Sequence, residues 1–368
     1  MSPKPASKSS SIGTRESEQP TTHTAGFWPE VSCWRVAGSR RGSAVLPVAK
    51  RSLPAFNSSH TSRGVEAAWR SVTLVITAIV ARIVTNLRPN KILSWYLANA
   101  RELPWRNSST SPWGVLLSEV MSHQTQVERV APIWQEWMQR WPTPAAFAQA
   151  STAEVLRAWG SLGYPRRALR LKECAQVIVD EHDGEVPEDV DKLLALPGIG
   201  DYTARAVACF AYGKNVPVVD TNVRRVVARV ERGEALGAPG KKEIEQVAAL
   251  LPEQNGPEFS VGLMELGALV CTARAPKCGE CPVRSDCAWL AAGKPEAEVK
   301  KRAQRFVGTD RQVRGKIMRL LRESDSPVEQ KLIDDLWHDP AQLSRALFSL
   351  LEDGLAEQDE KGYFHLPR

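Results

Sequence analysis

Four cysteines in the last third of the chain have a spacing that could hold a metal centre. They are Cys271, Cys278, Cys281 and Cys287, in the pattern C-x6-C-x2-C-x5-C. Because the loops between them are short, four thiolates can converge on one soft metal centre at little cost in chain entropy. One four-iron four-sulfur cluster is favoured over a structural zinc, since zinc modules usually present two C-x2-C pairs and this segment has one. Disulfides are disfavoured because no other feature of the chain is typical of a secreted protein.

A glycine-containing turn lies upstream of the cysteines. The pentapeptide from Leu196 to Gly200 reads L-P-G-I-G and stands between an apolar run and a helical stretch. Its two glycines allow a tight turn and leave backbone N–H groups unobstructed at a helix N-terminus, where they can hold a phosphate oxygen. We predict a helix-hairpin-helix that contacts a nucleic-acid backbone, with an ordinary helix–helix turn as the alternative.

A carboxylate follows this turn at a fixed distance. Asp220 comes 20 residues after Gly200, in the segment V-V-D-T-N-V-R-R. An aspartate at this place can be an N-cap of the next helix, which would be a structural role. A cap does not need this position relative to the hairpin, so Asp220 is also a candidate for chemistry.

The elements that must position these groups are helices. The chain has 368 residues and 43% hydrophobic content, enough for two or three domains and too much for a mostly disordered protein. From Ile92 to about Trp289, amphipathic segments alternate with short Gly and Pro breaks, which predicts an all-α region. Leu93, Tyr96 and Leu97 recur at helical spacing in the first of these segments.

The positive charge is concentrated outside this region. The net charge is +6, yet residues 1–90 carry 12 Lys and Arg against 4 Asp and Glu, so residues 91–368 sum to −2. Residues 1–90 are predicted to be a disordered basic tail because their composition cannot bury enough apolar surface. The apolar stretch at 71–81 is too short to cross a bilayer, so no membrane partner is expected. Nucleic-acid binding must therefore depend on individually placed groups.

In this order, the hairpin, the downstream aspartate and the four-cysteine loop resemble the helix-hairpin-helix DNA glycosylases related to endonuclease III. The resemblance covers about residues 92–290 and is closer to the MutY-type adenine DNA glycosylases. Four segments carry that closer match: L-P-W-R at 103–106, S-E-V-M at 118–121, Q-T-Q at 124–126 and L-G-Y at 162–164. The resemblance implies removal of adenine mispaired with 8-oxoguanine or guanine from double-stranded DNA. It also implies a six-helix barrel joined to an iron-sulfur cluster domain.

The resemblance assigns catalytic roles that agree with the chemistry of base removal. Adenine leaves poorly as an anion, so a general acid must protonate it while a second carboxylate faces the oxocarbenium-like sugar. Glu119 matches the acid, and burial among apolar neighbours should raise its pKa. Asp220 matches the second carboxylate. Tyr202 stands where lyase-competent relatives have a Lys, which predicts a monofunctional glycosylase because a Tyr hydroxyl cannot form a Schiff base.

Further residues are expected to contact DNA or the base. An enzyme that extrudes a base needs a wedge for the gap, and Gln124 and Tyr164 match that role. Arg274 and Lys277 lie in the loop between the first two cysteines, where a rigid basic loop can position phosphates. The complete expected set is Trp105, Arg106, Gln124, Thr125, Tyr164, Leu196, Gly198, Gly200, Asn222, Arg274 and Lys277, with Arg166 and Arg167 as additional candidates. Three positions depart from the family pattern: His123, Pro165 and Val261.

The predicted organisation has a catalytic core and a small C-terminal module. The core spans 91–290, with the barrel at 113–216 and the cluster domain formed by 91–112 and 217–290. A linker at 291–308 leads to a winged-helix-like module at 309–368, in which Pro327 is expected at a helix start and Asp339-Pro340 opens another helix. Many MutY-type enzymes carry a Nudix-like domain after the cluster, but residues 291–368 are too few for a full copy of it. The chain is expected to act as a monomer, in the cytoplasm at the nucleoid if the source is bacterial.

Two other functions remain open on the sequence. One is a non-catalytic iron-sulfur DNA-binding or regulatory module, which the presence of both carboxylates disfavours because a pure binder has no use for them near phosphates. The other is a pyrimidine or thymine-mismatch glycosylase of the same superfamily.

Overall fold

The computed structural model describes residues 85–240, 242–296 and 306–368, so nearly all of the predicted disordered tail lies outside the described residues. The helices are α1 Pro89–Asn99, α2 Pro112–Ser122, α3 Val127–Arg140, α4 Pro144–Ala148, α5 Thr152–Trp159, α6 Arg166–Glu181, α7 Val190–Ala195, α8 Asp201–Tyr212, α9 Thr221–Arg232, α10 Glu243–Ala248, α11 Gly256–Leu269, α12 Ala288–Ala291, α13 Asp310–Glu323, α14 Gln330–Asp334 and α15 Pro340–Glu352. Short 3-10 turns occur at Pro104–Arg106, Cys278–Glu280 and Arg284–Asp286. Two strands, β1 Glu357–Gln358 and β2 Phe364–His365, form one antiparallel pair. The all-α fold class is confirmed.

Helix α2 is the centre of the first core. Every residue from Trp113 to Met121 is buried, and all of them except Ser118 and Glu119 are apolar, as expected for a helix that is surrounded by the core. Around it pack the tryptophans of α3 and α5, including Trp137 and Trp159, whose ring centroids lie 5.7 Å apart. The capping box predicted at Ser151 and Glu154 is present and begins α5.

The second core joins two distant parts of the chain. Ile92 of α1 packs with Val226 of α9 and with Phe259 and Leu266 of α11, all fully buried. Gly262 allows α1 to approach α11 closely, since an added Cβ would lie 3.2 Å from Ile92 and 3.3 Å from Tyr96. Leu93, Tyr96 and Leu97 lie on α1, as their spacing predicts, and Leu97 is 80% exposed.

The C-terminal module has three helices and a hairpin, as expected. Its buried residues, such as Val313, Ile317 and Leu350, belong to the same apolar cluster as the first core. The expectation for Pro327 was wrong: α14 begins three residues later, because the backbone of Val328 forms two hydrogen bonds with Phe364 of β2 and holds this segment extended. The domain boundaries given above stay predictions. Within the three described ranges, no helix is long and apolar enough to cross a lipid bilayer.

Candidate active site

Glu119 lies at the inner side of a cleft between the two cores. It is on α2, and its exposed fraction is only 9%. Burial raises its pKa to about 7, because the charged form loses hydration. The nearby charge of Asp220 raises the pKa further, whereas a hydrogen bond from Tyr202 and the charge of Arg106 lower it. Glu119 can therefore hold a proton near neutral pH, as its sequence context predicts.

Tyr202 is the hydrogen-bond partner of Glu119. Its hydroxyl donates to Glu119 Oε2 over 2.8 Å. The residue stands on the first turn of α8, directly after the hairpin. The sequence left open whether Tyr202 would bond near Asp220 or be part of the core, and the structure places its hydroxyl on the other carboxylate.

Asp220 is the N-cap of α9. One carboxylate oxygen accepts from the backbone N–H of Val223 over 2.7 Å, and the other accepts from Asn222 Nδ2 over 2.7 Å. Burial raises the pKa of Asp220, and these two hydrogen bonds together with the charge of Arg225 oppose that rise. The capping role of Asp220 is confirmed, and the capping contact fixes the direction of its carboxylate. Its catalytic role stays a prediction.

A single cleft of about 440 Å³ brings the two carboxylates together. Gln124 and Arg224 lie at its border, and its volume is in the range of small-molecule sites. The lining residues are Glu119, Ser122, His123, Gln124, Tyr202, Val219, Asp220, Thr221 and Arg224. His123, one of the departures, keeps a polar contact: its Nε2 is 3.1 Å from Thr203 Oγ1. Burial lowers the pKa of His123, which favours the neutral ring.

The two predicted wedge residues stand on strained loops. Gln124 and Tyr164 have φ angles of 55° and 49°, a left-handed conformation that costs a residue other than glycine about 1 kcal/mol or more. Both side chains are exposed, Tyr164 by 48%. Strain of this kind persists only where surrounding contacts enforce it.

Arg167 supplies those contacts. Its guanidinium donates to the backbone carbonyls of His123 (2.7 Å) and Gly163 (3.0 Å), and also to the hydroxyl of Thr125 (3.1 Å). The side chain therefore ties the Gln124 loop to the Tyr164 loop from inside the protein. The structure does not present Arg167 as a phosphate contact, because both of its terminal nitrogens donate to protein oxygens and its Nε is buried without a partner. Thr125 belongs to the same hydrogen-bonded group.

Trp105 and Arg106 form part of the wall between the cores. The Trp105 ring packs edge-on against Trp134, and Arg106 donates to Glu265 Oε2 over 2.9 Å. Glu265 also receives two side-chain hydrogen bonds from Arg101. Burial alone would raise the pKa of Glu265, but these bonds outweigh it and hold the pKa at about 2. Neither Trp105 nor Arg106 lines the cleft, although the charge of Arg106 lowers the pKa of Glu119.

Sequence reasoning missed Glu265 and Arg225. Glu265 could have been found, since it is the single charged residue in the apolar run from Phe259 to Val270. Arg225 is buried on α9 and donates to Asn222 Oδ1, to the carbonyl of Gly267 and to the carbonyl of Cys271, each over 2.7 Å. Asn222 in turn holds Asp220. Asn222 therefore stands behind the catalytic candidate and does not line the cleft.

The hairpin has the predicted backbone geometry. Leu196 is buried, and Gly198 has a φ angle of +75° with an imagined Cβ only 2.7 Å from Arg170 Cβ, so no other residue fits there. Gly200 is the N-cap of α8 and makes no side-chain cap, which leaves N–H groups at the helix start available. Beside the turn lies a second concavity, lined in part by Arg166, Arg170 and Gly198.

The four cysteines surround one small cavity with free thiols. Arg229 donates from Nη1 to Cys271 Sγ over 3.4 Å and to the carbonyl of Thr272 over 2.7 Å. No three His, Cys, Asp or Glu side chains of the described ranges are close enough together for one mononuclear ion. The thiolates of a four-iron cluster bind separate irons, so these four free thiols around one apolar cavity, with an arginine beside them, fit such a group. Arg274 and Lys277 are exposed in the loop, and Lys277 is 3.7 Å from Glu280.

Comparisons with known proteins agree with this geometry. A family model of HhH-GPD superfamily base excision DNA repair proteins matches residues 117–253, and a model of the iron-sulfur binding domain of endonuclease III matches residues 271–287. The second match confirms the iron-sulfur expectation. The solved structure of a thermostable thymine-DNA glycosylase is similar with a TM-score of 0.52 and 29% identity, over 55% of this chain and 95% of that one.

Two similar proteins indicate the branch of the superfamily to which the chain belongs. The chain is 58% identical over 283 residues to an adenine DNA glycosylase of Mycolicibacterium smegmatis, covering 76% of this chain and 96% of that protein. It is 54% identical over 287 residues to an adenine DNA glycosylase of Mycobacterium tuberculosis, covering 77% and 94%. With the hairpin, the paired carboxylates and the cysteine loop in place, the chain belongs to the MutY-type adenine DNA glycosylases of the HhH-GPD superfamily.

Proposed function

We propose that this chain removes adenine from double-stranded DNA in which adenine is mispaired with 8-oxoguanine or guanine. The observation that carries the proposal is the cleft that holds a buried Glu119 with a pKa of about 7 beside Asp220. Glu119 donates its proton to a ring nitrogen of adenine, which makes the base a neutral leaving group. The carboxylate of Asp220 faces the positive charge that develops on the sugar, and water completes the hydrolysis.

DNA contacts surround this cleft in the proposal. Gln124 and Tyr164 fill the gap left by the extruded adenine, and the backbone N–H groups after Gly198 hold a phosphate. Arg274 and Lys277 add phosphate contacts beside the cluster. The four cysteines would hold this cluster, which would make the loop rigid when bound. The proposed active unit is a monomer acting on chromosomal DNA at the nucleoid.

A panel of duplexes tests the substrate. The full-length holoprotein is incubated with duplexes carrying A opposite 8-oxoguanine, A opposite G, T opposite G, or thymine glycol, and abasic sites are then cleaved with alkali. We expect product on the two adenine duplexes. Product on the thymine duplexes alone would instead indicate a pyrimidine glycosylase, and no product on any duplex would indicate a binding module.

Tyr202→Phe is expected to move the alkaline limb of the single-turnover rate to higher pH. The rate falls as Glu119 loses its proton, at about pH 7 in the unchanged protein. The Tyr202 hydrogen bond stabilises the charged form, so its loss raises the pKa of Glu119, by about 0.7 of a pKa unit for a bond worth about 1 kcal/mol. The measurement is a pH–rate profile on the A opposite 8-oxoguanine duplex. Tyr212→Phe is the control, since Tyr212 bonds to the carbonyl of Val186; equal profiles for both variants would contradict the assignment.

Borohydride is expected to trap no covalent complex with the adenine duplex. Trapping requires an imine between an amine and the sugar, and the position after the hairpin that could supply the amine holds Tyr202. The measurement is a denaturing gel of the protein with labelled duplex and borohydride. Tyr202→Lys provides the matched comparison, because it restores an amine at that place. A trapped band with the unchanged protein would show that another amine attacks the sugar.

A further inference from the structure

Arg229 on α9 is a buried arginine beside the four cysteines. It lines the small cavity that they surround, and only 6% of the residue is exposed. Its Nη1 donates to Cys271 Sγ over 3.4 Å, and its backbone carbonyl lies 3.8 Å from Cys287 Sγ. Arg229 is therefore in contact with both the first and the last cysteine of the cluster segment.

The charge of Arg229 differs from that of other arginines on the same helix in having no carboxylate to balance it. Arg224 pairs with Glu243 over 2.7 Å, and Arg232 pairs with Glu234 over 3.2 Å. Within the three described ranges Arg229 forms no such ion pair, and its hydrogen bonds go to uncharged backbone carbonyls and to a cysteine sulfur. A buried charge is costly unless an opposite charge lies close to it.

The two carboxylates of the cysteine segment are engaged by other cations. Asp286 is bound by Arg88 over 2.9 Å and by Lys91 over 2.8 Å, and Glu280 lies 3.7 Å from Lys277. Cysteine thiols must lose their protons to bind iron. The cysteines themselves therefore become the negative groups beside the buried guanidinium when the cluster is bound.

The other contacts of this guanidinium hold it in place without balancing its charge. Nη1 also donates to the carbonyl of Thr272 over 2.7 Å, and Nη2 donates to the carbonyl of Ala273 over 3.2 Å. The buried ring of Trp289 has its centre 4.5 Å from the guanidinium carbon, a distance at which a cation is attracted to the ring. Nε is buried without a hydrogen-bond partner, so the protein groups around it do not fully satisfy this side chain.

We propose that Arg229 is the counter-cation of the iron-sulfur cluster. Its Nη1 donates to the thiolate of Cys271, and its charge offsets the net negative charge of a four-iron cluster that is held by four thiolates. Reduction potentials of such clusters depend on net charge, on hydrogen bonds to the sulfurs and on exposure to solvent. Arg229 therefore raises the reduction potential of the cluster and makes the cluster harder to oxidise. The proposal concerns the cofactor site alone and does not depend on which base the enzyme removes.

The test is the reduction potential of the holoprotein, measured by electrode titration and followed by visible absorbance. Arg229→Gln removes the charge, so we expect its potential to shift to a more negative value. Arg229→Lys keeps the charge in the same buried place, so its potential should stay closer to that of the unchanged protein. Arg232→Gln is the control, because Arg232 already pairs with Glu234 near the surface, and its potential should be unchanged.

The rate of oxidative cluster loss is a second measurement on the same variants. Ferricyanide takes up one electron from the cluster, and this electron is easier to remove when the counter-cation is missing. We expect ferricyanide to bleach the Arg229→Gln cluster several-fold faster than that of the unchanged protein, with Arg229→Lys between them.

The comparison of Gln with Lys separates the charge of Arg229 from its hydrogen bonds to the loop. The proposal is overturned if Arg229→Gln keeps the potential of the unchanged protein, or if the Gln and Lys variants change it equally. If Arg229→Gln assembles no cluster, iron content decides: assembly in Arg229→Lys supports the proposal, and its absence in both variants overturns it.

Discussion

Glu119→Gln is expected to abolish adenine release, with a single-turnover rate at least about 10³ times lower on the A opposite 8-oxoguanine duplex. The amide has the shape of the carboxyl group but cannot donate the proton that makes adenine a leaving group, and general acids contribute about 10² to 10⁴ in rate. DNA binding and iron content should be retained. The measurement is alkali-cleavable product under single-turnover conditions, together with a binding isotherm.

Glu136→Gln is the matched control for this experiment. Glu136 is an exposed carboxylate on α3, so its loss should change neither the rate nor the affinity. A Glu119→Gln protein that releases adenine at the normal rate would show that another group supplies the proton.

Glu119→Gln is also expected to change how the stability of the protein depends on pH. Glu119 binds its proton more tightly in the folded chain, at about pH 7, than in the unfolded chain, at its ordinary value of 4.5. Stability therefore falls as the pH rises from 4.5 to about 7, and above pH 7 the buried charge costs about 3 kcal/mol. Gln carries no charge, so the variant should melt at a higher temperature than the unchanged protein at pH 8, with little difference at pH 4.5.

Arg225→Gln is expected to lower both the stability of the folded protein and the rate of adenine release. Its loss leaves the carbonyls of Gly267 and Cys271 and the amide oxygen of Asn222 without their donor, at about 1 to 3 kcal/mol for each buried group. Asn222 is then free to turn away from Asp220, and misplacement of a reacting group by about 1 Å can cost about 10² in rate. The charge of Arg225 also lowers the pKa of Asp220, so its removal should move the acidic limb of the pH–rate profile to higher pH.

Two further variants separate the effects of this change. Asn222→Ala removes the link to Asp220 and leaves the contacts of Arg225 with the cluster loop, so it should lower the rate with a smaller loss of melting temperature. Arg232→Gln on the same helix is the control, because Arg232 pairs with Glu234 near the surface. If Arg225→Gln melts at a lower temperature but keeps its rate and pH profile, the positioning of Asp220 does not depend on Arg225.

The sequence allowed the fold class, the family and the cluster cysteines to be predicted, because short motifs carry them. It did not allow the partners of the buried charges to be predicted. Glu265 meets Arg101 across a sequence separation of 164 residues, and only the folded chain brings these groups together. Arg167 was predicted as an additional DNA contact, whereas its guanidinium donates to backbone carbonyls of another loop that only the folded chain brings close.

Helical spacing predicts α1 but not the side that packs: the position of α11 selects the side with Ile92 and Tyr96 and leaves Leu97 80% exposed. The error at Pro327 has a local cause. Proline is favoured at helix starts, yet Pro327 precedes a residue whose backbone pairs with β2, and this pairing prevails.

The discontinuous second core sets an order of events during synthesis of the chain. Helix α1 is synthesised long before α11, with which it packs. Arg101 likewise has no Glu265 to bind until the 164 residues that separate them have been translated. Contacts of such high sequence separation form slowly, and apolar surface left open meanwhile is prone to aggregation. Since Cys287 follows both helices in the chain, the cluster can be completed only after this core has been translated. Iron supply should therefore influence the yield of folded protein at a late step, after residue 287 has been translated.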